Sequence, residues 1–212
     1  MIKKKKQIVK YSKLFITNKF SPIRSGNISI RHKTNNIEGF FISPSGKKNN
    51  EIKVSDIVFV PMSGKIEKNK NPSSEWRFHL DLYKHTNCNA VVHAHSKYAV
   101  ICSCLYQTIP SFHYMIAVSN GKSLKVAKYS TFGTKELSKN IIKAMHNSKS
   151  CLISNHGQIA IGNTLEDAFE LAEEIELLCE YYYFCKLQKN PRNISNSDMT
   201  KVLNKIKDYK KP

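Results

Sequence analysis

Several patterns that would assign a protein class at once are missing from this 212-residue sequence. It has no G-x-G-x-x-G or P-loop pattern, no C-x-x-C pair, and no apolar run near the roughly 20 residues that cross a membrane as a helix. The N-terminal stretch MIKKKKQIVKYSKLFITNKF begins with basic residues, but it lacks the continuous apolar segment and small-residue cleavage site of a secretory signal. We therefore expect a cytoplasmic protein with no membrane segment.

Arginine is scarce, although the formal net charge is +18. Only four of the 34 basic residues are arginines (Arg24, Arg31, Arg77, Arg192), and the lysines are scattered apart from the run Lys3 to Lys6. Proteins that read base edges depend on the bidentate guanidinium fork, which lysine does not provide. We therefore expect no specific nucleic-acid partner. Weak attraction to polyanions, or to an anionic substrate, remains compatible with the charge.

Six cysteines are present, and most of them lie in apolar stretches such as VICSCL and KSCLIS. In such surroundings cysteine behaves as a small buried hydrophobic residue. Because no pair has the spacing of a redox or metal motif, the sequence favours reduced thiols in an intracellular protein.

Apolar periodicity predicts one α/β domain over residues 1–212, because strands and helices alternate without a regular βαβ order and no low-complexity linker divides the chain. The predicted helices cover 2–19, a segment opened by Ser73 or Ser74, 97–106, the stretch GTKELSKNIIKAMHN, a long helix capped by Thr164 and Asp167, and 197–208 opened by Ser197. The predicted strands lie at 28–31, in EGFFISPSG and DIVFVPMSGK, at 89–95, and as two strands in SCLISNHGQIAIG. This pattern indicates a mixed or antiparallel sheet covered by helices.

Two histidines, His93 and His95, directly follow the apolar run at 89–92. On a strand, positions i and i+2 share a face about 6.6 Å apart, so both imidazoles can reach one metal ion. The alternative is one buried histidine with satisfied hydrogen bonds and one exposed histidine. The spacing alone does not decide between these two interpretations.

Three short polar stretches lie where strands end or a helix begins: SGN at 25–27, SPSG at 43–46 and PSSE at 72–75. Ser/Gly-rich turns and helix N-termini present N–H groups and hydroxyls that suit a phosphate, although each stretch alone also suits an ordinary turn or cap. Glu75 and His156 would complete a tetrahedral zinc site with the two strand histidines, but sequence spacing does not place them there.

Five motifs in order, PSSEWRFHLDLY, NAVVHAHSKYA, IPSFHYMIA, YSTFGTKELS and CLISNHGQIAIG, resemble those of the class II aldolase/adducin family. The resemblance runs from about residue 25 to residue 187. It implies a central, largely antiparallel sheet sandwiched between helical layers. It also implies a C4 homotetramer whose active sites lie at subunit interfaces, with Zn²⁺ as cofactor.

Residue by residue, the resemblance implies a site built from several parts of the chain. His93, His95 and His156 match zinc ligands, and Glu75 matches a carboxylate that binds the resting metal and then acts as base. Tyr114 matches a proton donor to a neighbouring subunit's site, and Tyr209, in a C-terminal helix and tail at about 197–212, matches a residue that closes over the site. The positions matching the substrate phosphate cradle are Asn27, Ser45, Gly46, Ser73 and Ser74.

The activity so implied is a lyase reaction: reversible cleavage of a ketose 1-phosphate of the L-fuculose 1-phosphate type to dihydroxyacetone phosphate and an aldehyde. A dry pocket that raised the pKa of Glu75 would favour its role as base. The segment 118–130, with Asn120 and Lys128, departs from the family pattern and leaves the aldehyde open. Alternatives are an aldolase for 5-deoxyribulose or ribulose 1-phosphate, a pentulose-phosphate epimerase or dehydratase, and a non-enzymatic adducin-type module, which would lack these ligands.

Overall fold

The computed structural model describes residues 1–21 and 23–209, with side chains described through residue 206. The helices are α1 (Ile2–Thr17), α2 (Trp76–His85), α3 (Lys97–Leu105), α4 (Lys135–Ala144), α5 (Leu165–Gln188) and α6 (Asn196–Tyr209). The strands are β1 (Asn27–Thr34), β2 (Ile37–Ile42), β3 (Val58–Pro61), β4 (Ala90–Ala94), β5 (Thr108–Ile109), β6 (Leu124–Ala127), β7 (Ser150–Ile153) and β8 (Gly157–Gly162). Two 3-10 helices cover Val54–Asp56 and Tyr114–Ser119.

The strands form one eight-stranded sheet in the order β3-β2-β1-β4-β8-β7-β6-β5. The pair β6-β7 is parallel, and the other neighbouring pairs are antiparallel. Strand β4 lies near the middle, where His93 is opposite Asn27 on β1 and Ile159 on β8. The largely antiparallel central sheet predicted from the resemblance is therefore confirmed.

Helices cover both faces of the sheet. Alternation along β4 sends Val92 into a core with α1, α3, α5 and α6, and sends Val91 into a second core with α2 and α4. Burying each such side chain contributes roughly 1.5–3 kcal/mol. His93 shares the face of Val91, so it points towards the layer that contains α2, and its ring contacts that of Phe78 with centroids 5.4 Å apart.

Helix α2 starts later than the sequence predicted. Neither Ser73 nor Ser74 is the N-cap: the helix begins at Trp76, and Glu75 occupies the N-cap position without a side-chain cap hydrogen bond. The Ser73 hydroxyl instead accepts from the Glu75 N–H at 3.3 Å. Because that serine satisfies the backbone, the Glu75 carboxylate is free to point elsewhere.

The predicted N-caps of the last two helices, α5 and α6, had opposite outcomes. The predicted capping box of α5 is confirmed, because Thr164 and Asp167 exchange side-chain-to-backbone hydrogen bonds of 3.1 Å. The opening of α6 at Ser197 is wrong, since the helix starts at Asn196 and the Ser195 hydroxyl accepts from the Asp198 N–H at 3.0 Å.

Strands β5 and β6 were not predicted. They are two and four residues long, too short for periodicity to mark them. Strand β6 lies inside the divergent segment 118–130, where Leu124 and Ala127 are buried while Lys125 is exposed. Within the described part of the chain, no helix combines the length and apolarity needed to cross a membrane.

Candidate metal and phosphate site

Four side chains with metal-binding groups converge at the end of β4. The donor atoms of Glu75, His93, His95 and His156 all lie within 4.8 Å of one another. The Nε2 atoms of His93 and His95 are 3.0 Å apart, and the Glu75 carboxylate lies 3.1 Å from Nε2 of His93 and 3.4 Å from Nε2 of His156. The structure therefore brings together the four residues that the sequence proposed as ligands.

Local backbone geometry places His156 in this cluster. It lies in the turn between β7 and β8, where Asn155 has a φ of 55°. The next residue is Gly157, where an added Cβ would lie only 2.3 Å from the carbonyl oxygen of Ala94. Only glycine lets β8 pass so close to the end of β4. This close approach carries His156 from its own turn to the strand histidines.

A backbone carbonyl orients the central imidazole. Nδ1 of His93 donates to the carbonyl oxygen of Gln158 at 2.8 Å, and the side chain is fully buried. Fixing the Nδ1 proton directs Nε2 into the cluster. This is the arrangement that commonly orients metal-binding histidines in proteins.

Burial and charge set the protonation of the cluster. Burial, together with the nearby His93, lowers the pKa of His95 to about 3 and that of His156 to about 4, so both rings are neutral near pH 7. Burial opposes a charge on His93 too, but the Glu75 carboxylate and two hydrogen bonds outweigh it and raise its pKa. Burial likewise raises the pKa of Glu75, yet the charge of His93 holds it well below its ordinary value. The raised pKa that would favour a base is therefore not found in this arrangement.

The residues of the cluster fit a divalent cation. Oε1 of Glu75 is buried and has no hydrogen-bond partner among the described residues, although an unsatisfied buried carboxylate oxygen is costly. A bound cation would satisfy that oxygen and the imidazole nitrogens around it. Three imidazoles and one carboxylate form a donor set that zinc accepts in tetrahedral coordination.

Beside the cluster is a cavity of about 380 Å³. Glu75, His95 and His156 line one part of it. The five residues predicted to hold a phosphate also line it; they are Asn27, Ser45, Gly46, Ser73 and Ser74. The predicted cradle and the metal-binding groups thus face the same space.

Backbone pairing holds two of the cradle turns together. The N–H of Ser45 donates to the carbonyl oxygen of Asn71 at 3.1 Å, and the N–H of Ser73 donates to that of Ser43 at 3.0 Å. An isolated β-bridge between Pro44 and Pro72 lies between these two contacts. The turn after β2 is therefore fixed against the entry to α2.

The side chain of Asn27 serves the cluster as well as the cavity wall. Its Nδ2 donates to Oε2 of Glu75 at 3.0 Å, and its Oδ1 accepts from Nε2 of His79. One amide hydrogen remains for a ligand. Its assignment to the phosphate cradle stays a prediction.

Sequence reasoning missed several residues of the cavity wall. Arg24 contributes a guanidinium whose Nε donates to the carbonyl oxygen of Gly46 at 3.1 Å. Tyr129, Ser130 and Phe132 line the cavity from the segment that follows β6. The YSTFG motif could have indicated these three, whereas nothing in the pattern around Arg24 distinguished it from a surface arginine.

Of the two predicted tyrosines, only the side chain of Tyr114 is described, and it lies apart from this cluster. Tyr114 is 51% exposed at the start of the second 3-10 helix, outside the cavity, with its ring 5.0 Å from that of His113. The backbone of α6 extends to Tyr209, but the side chain of Tyr209 lies outside the described residues.

Comparisons with known proteins agree with this geometry. Residues 6–183 match the family profile of the Class II Aldolase and Adducin N-terminal domain. The chain is 40% identical to 5-methylthioribulose-1-phosphate/5-deoxyribulose-1-phosphate aldolase of Rhodospirillum rubrum over 186 residues, covering 87% of this chain and 82% of the relative. It is also 40% identical to L-fuculose phosphate aldolase of Escherichia coli K12 over 187 residues, covering 87% and 85%.

A solved structure of L-fuculose 1-phosphate aldolase superposes with a TM-score of 0.90 at 36% identity, covering 97% of this chain and 96% of that one. The family profile spans most of the chain, and both the sequence relatives and the structural match are aldolases. The chain therefore belongs to the class II aldolase and adducin family and is an aldolase, an enzyme of the lyase class.

Proposed function

We propose that this protein is a zinc-dependent aldolase of the cytoplasm that reversibly cleaves a ketose 1-phosphate to dihydroxyacetone phosphate and an aldehyde. One observation carries the proposal: Glu75, His95 and His156 line the same cavity as a Ser/Gly-rich cradle suited to a phosphate. A ketose 1-phosphate carries both groups that such a cavity selects. Its phosphate suits the cradle, and its neighbouring oxygens suit a cation.

The cradle binds the phosphate through hydroxyls and a helix terminus. The Ser73 hydroxyl accepts from the Glu75 N–H, so its own proton is available to donate to a phosphate oxygen. The N-terminus of α2 adds a favourable macrodipole. Binding energy from this end of the substrate lies remote from the bond that breaks, so it holds the reacting carbons in place.

His93, His95 and His156 would hold the cation, with Glu75 as a further ligand in the resting enzyme. When bound, the metal supplies Lewis-acid stabilisation of the negative charge that develops on the ketose oxygens, worth several kcal/mol. The neutral state of His95 and His156 near pH 7 supports this assignment, because a protonated imidazole cannot bind a metal.

Glu75 transfers a proton to and from the reacting carbon of the substrate. In the condensation direction its carboxylate takes the proton from the hydroxymethyl carbon next to the carbonyl of dihydroxyacetone phosphate, and in cleavage it returns that proton. The carboxylate is ionised near pH 7, as a base must be. Asn27 holds Oε2, which lies 3.1 Å from Nε2 of His93, while Oε1 lies 3.4 Å from Nε2 of His156.

Tyr114 delivers the second proton, to the aldehyde oxygen, and acts on the site of a neighbouring subunit in a C4 homotetramer. Its absence from the lining of the cavity in its own chain supports a role across an interface. Exposed aromatic side chains support the interface itself, because Tyr114, Tyr181 and Phe184 are each about half exposed in the single chain. Tyr209 is proposed to close over the site.

Two substrates fit equally well at the dihydroxyacetone phosphate end. L-Fuculose 1-phosphate and 5-deoxyribulose 1-phosphate differ in the aldehyde they release, and the relatives that act on them are equally similar to this chain. The second candidate is favoured by Tyr129 and Phe132, whose rings line the cavity from the segment that follows β6 and suit a short, less hydroxylated aldehyde.

The test is metal content together with product release. The purified protein is analysed for metal and then assayed with L-fuculose 1-phosphate, 5-deoxyribulose 1-phosphate and 5-methylthioribulose 1-phosphate, with dihydroxyacetone phosphate as the product measured. We expect about one zinc per chain, release that chelation abolishes, and recovery on adding Zn²⁺. Bound metal with no release from any of the three would favour an epimerase or dehydratase, and absence of metal would overturn the metal site.

A further inference from the structure

A line of buried polar side chains runs from the core to the carboxylate of Glu75. The Tyr83 hydroxyl contacts Oγ of Ser29 at 2.7 Å, and Ser29 contacts Nδ1 of His79 at 2.7 Å. Nε2 of His79 reaches Oδ1 of Asn27, whose amide nitrogen reaches Glu75 at 3.0 Å. All five side chains are buried, with at most 6% of any of them exposed. Nothing in the proposed reaction uses the first three.

The chemistry of each group fixes the direction of every hydrogen bond. Because Glu75 is ionised it can only accept, so the NH₂ group of Asn27 faces it and the Asn27 carbonyl oxygen faces His79. His79 therefore carries its proton on Nε2 and accepts at Nδ1. Ser29 is then the donor to Nδ1, and Tyr83 is the donor to Ser29. Four donors in series point towards one carboxylate.

The protonation states support that order. Burial, aided by the charge of His93, lowers the pKa of His79 to about 3, so the ring is neutral and has one acceptor nitrogen. Burial raises the pKa of Tyr83 well above its ordinary value, so its phenol keeps its proton. The His79 ring lies beside those of Phe40 and Phe78, with centroids 6.4 and 4.7 Å away. These apolar rings offer the imidazole no other hydrogen-bond partner.

The consequence concerns the orientation of the Asn27 carboxamide. A carboxamide rotated by half a turn fills nearly the same space, but it would place an oxygen against the Glu75 carboxylate and an NH₂ group against His79. The second arrangement is unfavourable only while Nε2 of His79 carries the proton, because two N–H groups then face each other. Ser29 keeps the proton there by donating to Nδ1, and Tyr83 orients Ser29 by donating to its hydroxyl oxygen.

On the basis of the proposed function, we propose that His79, Ser29 and Tyr83 are positioning residues that lock the Asn27 amide with its N–H groups towards Glu75. The lock holds Oε2 of Glu75 beside Nε2 of His93 and so fixes Oε1 beside Nε2 of His156. Without it the amide samples both orientations, and one of them repels the carboxylate from its working position. The three residues touch neither substrate nor metal.

A pair of variants at His79 separates positioning from simple packing. In His79→Gln the side-chain NH₂ can still donate to Asn27, whereas His79→Leu has a similar volume and no donor. We expect the kcat of His79→Leu to fall about 10- to 100-fold, as is usual when a group supporting a metal ligand is lost. The KM should stay within about twofold, and His79→Gln should recover most of the kcat. Equal kcat values for the two variants would overturn the proposal.

Two serine variants provide the matched control. Ser29→Ala removes the donor to His79, and Ser138→Ala removes an equally buried hydroxyl whose bond goes to Asp81, away from the cluster. We expect both to lower the melting temperature by a similar amount, but only Ser29→Ala to lower kcat. An equal effect of both on kcat would show that stability alone is involved.

A spectroscopic measurement of the His79 tautomer tests the lock without substrate. In metal-loaded protein labelled with ¹⁵N-histidine, we expect one slowly exchanging Nε2–H signal that His79→Gln removes. The Nδ1 chemical shift of the same ring should be that of a hydrogen-bond acceptor, and this shift should change in Ser29→Ala. A His79 signal with the proton on Nδ1 would overturn the proposal. Failure of the wild-type protein to release dihydroxyacetone phosphate would overturn the proposed function alone, because the tautomer is read independently of turnover.

Discussion

Oε2 of Glu75 lies 3.1 Å from Nε2 of His93, although the two residues belong to different elements, the N-cap of α2 and the middle of the central sheet. The contact joins the residue proposed as base to the residue proposed as central ligand. Each charged group favours the charged form of the other, so the contact holds the pKa of Glu75 down and that of His93 up. Because a metal binds only a neutral imidazole, a cation held by His93 would have to displace any proton on its Nε2.

Glu75→Gln should keep the fold and lose activity. The amide is nearly isosteric with the carboxylate and can still accept from Asn27, so we expect little change in melting temperature and a fall in kcat of about 10²- to 10⁴-fold, the usual range for a lost general base. Assays of metal content and kcat check this. Glu51→Gln removes an exposed carboxylate paired with Lys48 and should leave kcat unchanged.

Arg24→Gln should weaken binding of the substrate phosphate. Arg24 is a guanidinium beside the cradle, anchored on Gly46, so its loss removes a charge-assisted contact. We expect KM to rise about 10-fold, kcat to change less than twofold, and inhibition by inorganic phosphate to weaken in parallel with KM. The exposed Arg192→Gln makes the same change in net charge away from the cavity. Equal KM values in the two variants would remove Arg24 from the cradle.

His79→Gln should flatten the dependence of stability on pH. The pKa of His79 is about 3 in the folded protein and about 6.5 in an unfolded chain. As the pH falls below 6.5, the unfolded chain gains a proton that the folded one does not, so the free energy of unfolding falls by about 1.4 kcal/mol per pH unit. Urea unfolding at pH 7 and pH 5 should show wild type losing about 2 kcal/mol more than the variant. Parallel losses would mean that His79 titrates normally.

The sequence predicted the features that depend on local patterns, such as strand alternation and helix caps. Alternation predicted that His93 and His95 point the same way, which they do although β4 ends at Ala94. The T-x-x-D pattern located the start of α5. Both patterns depend on neighbours along the chain. The family motifs then assigned ligands that spacing alone could not join. The long-range contacts could not be predicted: Glu75 reaches the cluster because the turn after β2 pairs with the entry to α2, a contact that no local pattern encodes.

The errors have physical causes too. Ser73 or Ser74 was expected to cap α2, since serine is a good N-cap, but the helix starts one residue after Glu75. Tertiary contacts of the cradle hold Ser73 outside the helix. Strand β6 was not predicted because so short a strand is defined by its hydrogen bonds to β7, which the local pattern does not show. Arg24 was missed because its significance depends on the cavity beside it.

Thiol labelling should distinguish two cysteines from the other four. Cys88, Cys102, Cys151 and Cys179 are buried, while Cys104 and Cys185 are exposed. Burial raises the pKa of Cys151 to about 12, so its reactive thiolate is negligible near neutral pH. A native sample at pH 8 should react with at most two equivalents of a thiol reagent, and a denatured sample with six. More than two in the native protein would mean that the core opens on the labelling timescale.

Subunit mixing should test whether Tyr114 acts on a neighbouring site. Tyr114→Phe keeps the ring and removes the proposed proton donor, so we expect slower cleavage with unchanged metal content. Glu75→Gln subunits retain the donor but lack the base. If the two variants are unfolded together, refolded and assembled at random, about one quarter of the sites join an intact Glu75 to an intact Tyr114 from the next subunit. We expect activity well above that of either variant alone. A mixture no more active than the average of its parts would place Tyr114 outside the reaction of its neighbour.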